Sequence, residues 1–415
     1  MQSTSHRLYF LDWIRICAFF LLILYHTGMY YVSWDWHVKS PAAGHAIEPL
    51  MMLSSPWRLG LLFFVAGAAA RFLLAKLGAA SFMRVRSVRL LVPLVFGILV
   101  IVPPQPYFEV VEKVAYTGSY LDFMQLYLNA YHGFCRGDDC LILPTWNHLW
   151  FLPYLWCYSM LLAAAVLGAP GRLDSVGRRG ARLLGGWRAL VLPALVLGGL
   201  RLLLAERFET THALIDDWYS HAVYGFLFLL GALVAREDAV WTRLHALRWP
   251  ALALALGCWA LMVLYYAMPW EWRALAPHDG LRFAMRMVEG TCSWSAIAAV
   301  CGFARQHMNH DSPRRRYLTE AVFPVYILHQ TLIVTIAHLI KPAQVAPVIE
   351  AVILVVLTVG LSFAIFGVVR RIGWLRPLFG LPPAASCADA GKRLIHKGNP
   401  TAEDLALATK RAPIT

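Results

Sequence analysis

The stretch that decides the fold is Leu11-Asp12-Trp13-Ile14-Arg15, then an apolar run, then Tyr25-His26-Thr27-Gly28. Residues 11–32 are long enough to cross a bilayer, which takes about 20 mostly apolar residues. The segment is too long for a cleaved signal peptide, holds Asp12 and Arg15, and lacks an A-x-A exit. It therefore predicts a transmembrane helix with ionisable groups near both ends. Arg15 and His26 lie eleven positions apart, which is roughly 16 Å along a helix axis. Eleven steps overshoot three full turns by only about 20°, so both side chains leave from nearly one face.

Nine more stretches of this kind follow: 57–76, 88–106, 148–167, 187–205, 218–235, 249–268, 282–303, 318–340 and 346–369. The chain of 415 residues is 59% hydrophobic and 15% charged, against about 25% charged in an ordinary soluble domain. Its mean hydropathy is +0.56. These figures exclude a soluble globular enzyme, a disordered chain and a fibrous protein. They predict an all-α polytopic membrane protein with about ten transmembrane helices.

A net charge of +13 would suggest nucleic acid in a soluble protein. Resolved by segment it has another meaning. Of the 37 Lys and Arg, 25 fall in the N-terminus, 76–89, 172–188, 236–248, 305–316 and the tail from Arg370. The alternate segments hold six, and six arginines lie inside the apolar stretches. Positive charge collects on the cytoplasmic side of a membrane protein, so this alternation supports ten crossings with both termini cytoplasmic. It leaves no basic outer surface for nucleic acid. Trp34, Trp36, Trp57, Trp146, Trp150, Trp218, Trp241, Trp249, Trp270 and Trp272 fall near the expected interfaces. The expected organisation is an integral-membrane domain over 1–375 and a cytoplasmic, mobile tail over 376–415. The longest outer loop, about 105–147, contains Cys135 and Cys140, which form either a short disulfide or two free thiols. Asp138 and Asp139 lie between them without a cage of further ligands, and no metal site is expected.

Ionisable groups at membrane depth are expensive and tend to mark sites. His26 is the candidate base, because a neutral imidazole can take a proton from an attacking alcohol. Arg15 offers an anion a fixed fork of donors, or pairs with Asp12 one turn back. Arg71 lies in the second stretch after Phe63-Phe64-Val65-Ala66-Gly67, and Arg86 and Arg89 precede Pro93. Further candidates are His148-Leu149-Trp150-Phe151-Leu152, Glu289, Glu320 and Tyr326-Ile327-Leu328-His329-Gln330. Taken singly, each of these fits a structural role.

Taken in order, Arg15-x10-His26, Phe63–Gly67, Arg86-x-x-Arg89, His148–Leu152 and Tyr326–His329 resemble the membrane acyltransferase 3 family over about 330 residues. Trp36-His37-Val38 and Ser40 resemble its glucan-biosynthesis protein C branch, associated with succinylation of osmoregulated periplasmic glucans. Ala66 departs from the serine usual in the second motif. The resemblance implies an O-acyltransferase that moves an acyl group, succinyl or acetyl, from cytoplasmic acyl-CoA to a hydroxyl of a periplasmic or surface glycan. It implies catalytic roles for His26 and Arg15 and donor binding by Arg86 and Arg89; Arg71 is a further expected donor residue, and Trp36, His37, His148 and Trp150 are expected to bind the acceptor. The implied partners are acyl-CoA, the glycan acceptor, the lipid bilayer and glycan-synthesis proteins, in a bacterial-type inner membrane. Two other classes fit the composition: a glycan or anionic-solute transporter or flippase, and a non-catalytic partner of a glycan synthase. Paired halves with matching helix breaks, the mark of many transporters, are not evident.

Overall fold

A computed structural model of the chain describes residues 8–137, 139–269, 271 and 278–383. Asp138, Trp270, Trp272 and the tail from 384 lie outside the described residues. Each of the ten apolar stretches falls on a helix. These are α1 (Tyr9–Met29), α3 (Arg58–Leu77), α4 (Ala79–Phe96), α7 (Phe151–Gly168) and α9 (Arg188–Leu204). The set continues with α10 (Trp218–Val234), α12 (Arg248–Ala267), α13 (His278–His307), α14 (Pro313–Ile340) and α15 (Pro347–Arg371). Among the described residues, seven helical segments are long and apolar enough to span a membrane alone, and three bent pairs bring the number to ten. The protein is a multi-pass membrane protein.

Short helices fill the turns: α2 (Glu48–Ser54), α5 (Pro104–Lys113), α6 (Tyr120–Leu128), α8 (Arg172–Leu183), α11 (Asp238–Ala246) and α16 (Leu375–Leu378). Two-residue strands β1 (Cys135–Arg136) and β2 (Asp139–Cys140) pair antiparallel. Cys135 and Cys140 are disulfide-bonded, which decides between the two sequence readings of that loop. The loop folds as a small unit with its own apolar cluster of Val110, Phe123, Tyr127, Phe134 and Leu143.

Two helix starts differ from the sequence reading. Residues 79–87 belong to α4, not to a loop. The chain reverses in one residue at Gly78, whose φ of 74° suits glycine, and α4 then presents Arg84, Arg86 and Arg89 from helical backbone. Packing against the bundle continues past 375. Phe379 and Leu381 are buried, Phe379 packs edge-on against Phe96, and Arg376 reaches Glu320 at 3.3 Å. The α14 helix starts at Pro313, earlier than hydropathy suggests, because Ser312 Oγ accepts the Arg315 N–H at 3.0 Å and proline occupies the first turn.

Cross-contacts gather the basic segments at one end of the bundle. Asp12 pairs with Arg315, which also holds Asp311 at 2.8 Å. Asp174 meets both Arg71 and Arg236, and Arg305 meets Asp238 at 2.8 Å. The opposite end is tied by the buried Glu350, which accepts from Tyr31 at 2.9 Å and Tyr30 at 3.3 Å, and by Glu112, which holds His338 and Lys341, each at 2.9 Å. In the middle, α3 and α10 touch backbone to backbone. A Cβ on Gly67 would overlap the Phe228 carbonyl, and one on Gly231 would overlap the Phe64 carbonyl. Small residues let membrane helices approach in this way.

Candidate functional site

The last turn of α1 puts His26 in the wall of a cavity of about 490 Å³ at the end opposite the basic segments. Trp36, His37, His148 and Trp150, the four expected acceptor residues, line the same cavity. Residues from six separate parts of the chain therefore meet around this cavity: α1, the segment after it, the start of α3, the turn before α7, the segment before α10 that holds His212, and α14.

The hydrogen bonds fix the state of that imidazole. His329, 1% exposed on α14, donates from Nδ1–H to the Tyr326 carbonyl at 2.6 Å. Its Nε2 then carries the lone pair and accepts from His26 Nδ1–H, 2.8 Å away. The two rings are 6° from parallel with centroids 5.0 Å apart, which at that nitrogen separation leaves them edge to edge. With Nδ1 committed as donor, His26 keeps the lone pair on Nε2. The second nitrogen of a histidine is set by the bond its first one makes.

His148 and His37 differ from His26 because both nitrogens of each are engaged. His148 donates from Nε2 to the Ile327 carbonyl at 3.0 Å and accepts from Gln105 Nε2 at 3.2 Å. Its ring stands at 88° to His329, centroids 5.2 Å apart, and its carbonyl accepts the Tyr326 hydroxyl at 2.6 Å. His37 accepts from Gln330 Nε2 at 3.0 Å and donates from Nδ1 to Glu109. Gln330 also reaches Gln105 Oε1 at 3.0 Å, so the network continues from the cavity to α5. Lys113 closes it, at 2.8 Å from both Glu109 and Asp35. These two histidines hold the wall in shape, and Trp150 stacks on His212 with centroids 4.0 Å apart.

The expected donor residues divide. Arg86 and Arg89 sit together towards the basic end of α4, with Arg15 close enough for its charge to act on both. Arg86 donates to Ser159 Oγ at 3.2 Å, and among the described residues neither Arg86 nor Arg89 has a carboxylate partner. Arg15 pairs with Asp12 at 3.3 Å. It belongs with the arginines of the basic end and stands three helical turns from His26. Arg71 does not join them. It is buried against Asp174 of α8, where its charge is already compensated, so it ties α3 to α8. Glu289 is likewise engaged, with Arg201 and with Tyr266 at 3.2 Å. Among the described residues no cluster of three potential metal ligands occurs.

Two residues were not read as site residues from sequence. His329 stood in a motif that fits a structural role when taken alone. Arg58, first residue of α3, lines the His26 cavity and lies with its guanidinium carbon 3.2 Å from the centre of the Tyr25 ring. An arginine at the edge of an apolar stretch gives no signal of its own.

The bundle thus combines a polar cavity, where His26 keeps a ring nitrogen for a proton, with the arginines Arg86 and Arg89, which among the described residues have no carboxylate partner. Residues 8–367 match the family described as "Acyltransferase domain", and the chain belongs to that acyltransferase 3 family. It is an acyltransferase. It is 22% identical over 388 residues to the "Glucans biosynthesis protein C" of Salmonella gallinarum, covering 91% of this chain and 96% of that protein. No solved structure matches.

Proposed function

We propose that the protein is a transmembrane O-acyltransferase that takes an acyl group, succinyl or acetyl, from cytoplasmic acyl-CoA and places it on a hydroxyl of a periplasmic or surface glycan. The observation that carries this reading is the uncommitted Nε2 of His26 in the cavity, backed by His329. His26 Nε2 takes the proton of the sugar hydroxyl as its oxygen attacks the thioester carbonyl. The resulting tetrahedral centre expels the CoA thiolate as the C–S bond breaks, and the thiolate takes the proton from His26. The products are the glycan ester and CoA thiol.

The basic end faces the cytoplasm in this account, by the charge asymmetry of the segments, and the membrane is a bacterial-type inner membrane. Arg86 and Arg89 meet the phosphates of CoA through charge-assisted hydrogen bonds. The pantetheine arm carries the thioester along the bundle towards His26, so that the glycan is acylated without either substrate crossing. Trp36 and Trp150 line the cavity in which the sugar ring sits in this account, and glycan-synthesis proteins supply the acceptor. The relative's name supports a glucan as that acceptor.

Purified protein in vesicles, with acyl-CoA on the basic-end side and glucan on the other, tests the reading. Labelled acyl groups should become covalently attached to the glucan, and His26→Ala should abolish this in a protein that still inserts. Movement of glucan across the vesicle without acylation would refute the reading in favour of a transporter.

A further inference from the structure

Arg58 is a buried cation without a counter-ion. Its side chain is 8% exposed, and its Nε finds no hydrogen-bond partner. Nη1 donates to the Ser55 carbonyl at 3.3 Å, and the guanidinium lies over the Tyr25 ring. Among the described residues no carboxylate pairs with it, whereas Arg71, Arg201 and Arg315 each have one. A buried charge normally comes with a partner, because leaving water is costly and only pairing offsets it. Here the ring face of Tyr25 offsets part of that cost through a cation–π contact, which still leaves the guanidinium without an opposite charge. The same residue lines the cavity that holds His26, and its charge acts on His26.

We infer that Arg58 is an anion subsite that receives the distal carboxylate of the transferred acyl group, so that the enzyme selects a dicarboxylic acyl donor over a neutral one. This rests on the transferase reading above. A sugar hydroxyl is neutral and offers Arg58 no charge. A permanent cation without a partner in the resting protein is matched by a ligand that brings a permanent negative charge. A guanidinium holds a carboxylate through its fork of donors, and Nε is one arm of that fork. A neutral acyl chain would enter the cavity and leave the arginine as it is now. The chemistry could also be met by a carboxylate on the glycan or by the transient oxyanion, and the two donors below separate these.

The test uses full-length protein in lipid nanodiscs with a glucose oligomer as acceptor. Succinyl-CoA and butyryl-CoA are compared, two donors of matched chain length with and without the carboxylate. The wild type is expected to favour succinyl-CoA in kcat/KM. Arg58→Gln should lower that preference about 10- to 100-fold, and Arg58→Lys should restore part of it. An equal loss on both donors would assign Arg58 to the oxyanion or the acceptor and overturn the inference, as would a wild type with no preference. If the wild type transfers neither group, the proposed transfer from these acyl-CoA donors to a glucan fails, and the subsite is then read by binding alone. Thermal stabilisation by free succinate but not by neutral succinamide, lost in Arg58→Gln, supports the subsite. An identical response to the two compounds, or one unchanged in the variant, overturns it.

Discussion

Replacing His329 with alanine should slow acyl transfer while leaving the donor KM almost unchanged. His26 reaches His329 through a single hydrogen bond of 2.8 Å, and His329 is itself anchored to the Tyr326 carbonyl at 2.6 Å. Without that acceptor, His26 Nδ1–H faces an empty pocket. An unsatisfied buried donor costs about 1–3 kcal/mol. The ring can escape that cost by moving its proton to Nε2 or by turning, and either change removes the lone pair from the reacting hydroxyl. At about 1.4 kcal/mol per factor of ten, the penalty corresponds to roughly a 5- to 150-fold fall in kcat. Gln at 329 offers a carbonyl oxygen as acceptor and should recover part of the rate. The assay is steady-state transfer of a labelled acyl group to glucan by protein in nanodiscs, with folding followed by gel filtration and thermal melting. A His329→Ala enzyme with wild-type kcat, or Gln and Ala variants equally slow, would refute the tautomer argument.

Three further outcomes follow from the same structure. Arg86→Gln and Arg89→Gln should each raise the KM for acyl-CoA, by about 10- to 100-fold for one lost charge-assisted bond, as titration of donor would show. Arg71→Gln should lower the melting temperature without changing that KM, because Arg71 is paired with Asp174 and stands outside the donor group. The cost falls below the about 3–5 kcal/mol of a fully buried pair, since Asp174 is 41% exposed. Gly67→Ala should destabilise the bundle by at least the about 1–3 kcal/mol of ordinary overpacking, because the new methyl meets the Phe228 carbonyl. The fraction of monodisperse protein after extraction measures it, and wild-type yield and melting would contradict the close α3–α10 contact.

Hydropathy made the helices legible, since each span is a long apolar run and membrane helices satisfy their backbone within themselves. Boundaries failed where polar residues continue a helix. The span around Pro93 was read from 88, with Arg86 and Arg89 at its entry, yet α4 begins at Ala79, because long basic side chains can reach towards headgroups from helical positions. The site was legible where it is local. Arg15 and His26 share one helix face, and the short motifs around His37, His148 and Trp150 led to one cavity. Pairings between distant positions were not legible. His26 meets His329 across 303 residues and Arg71 meets Asp174 across 103, and no periodicity encodes either. Arg58 escaped for a related reason. Its distinction is the lack of a carboxylate neighbour, which only the packed helices reveal.

The central claim is that His26 is the base for acyl transfer to a glycan hydroxyl. Mass spectrometry of periplasmic and surface glycans from cells carrying the wild-type protein or His26→Ala tests it most directly. The account predicts glycans heavier by one or more acyl groups with the wild type, and none of that added mass with the variant expressed at equal membrane level. Equal acylation in both strains would contradict it.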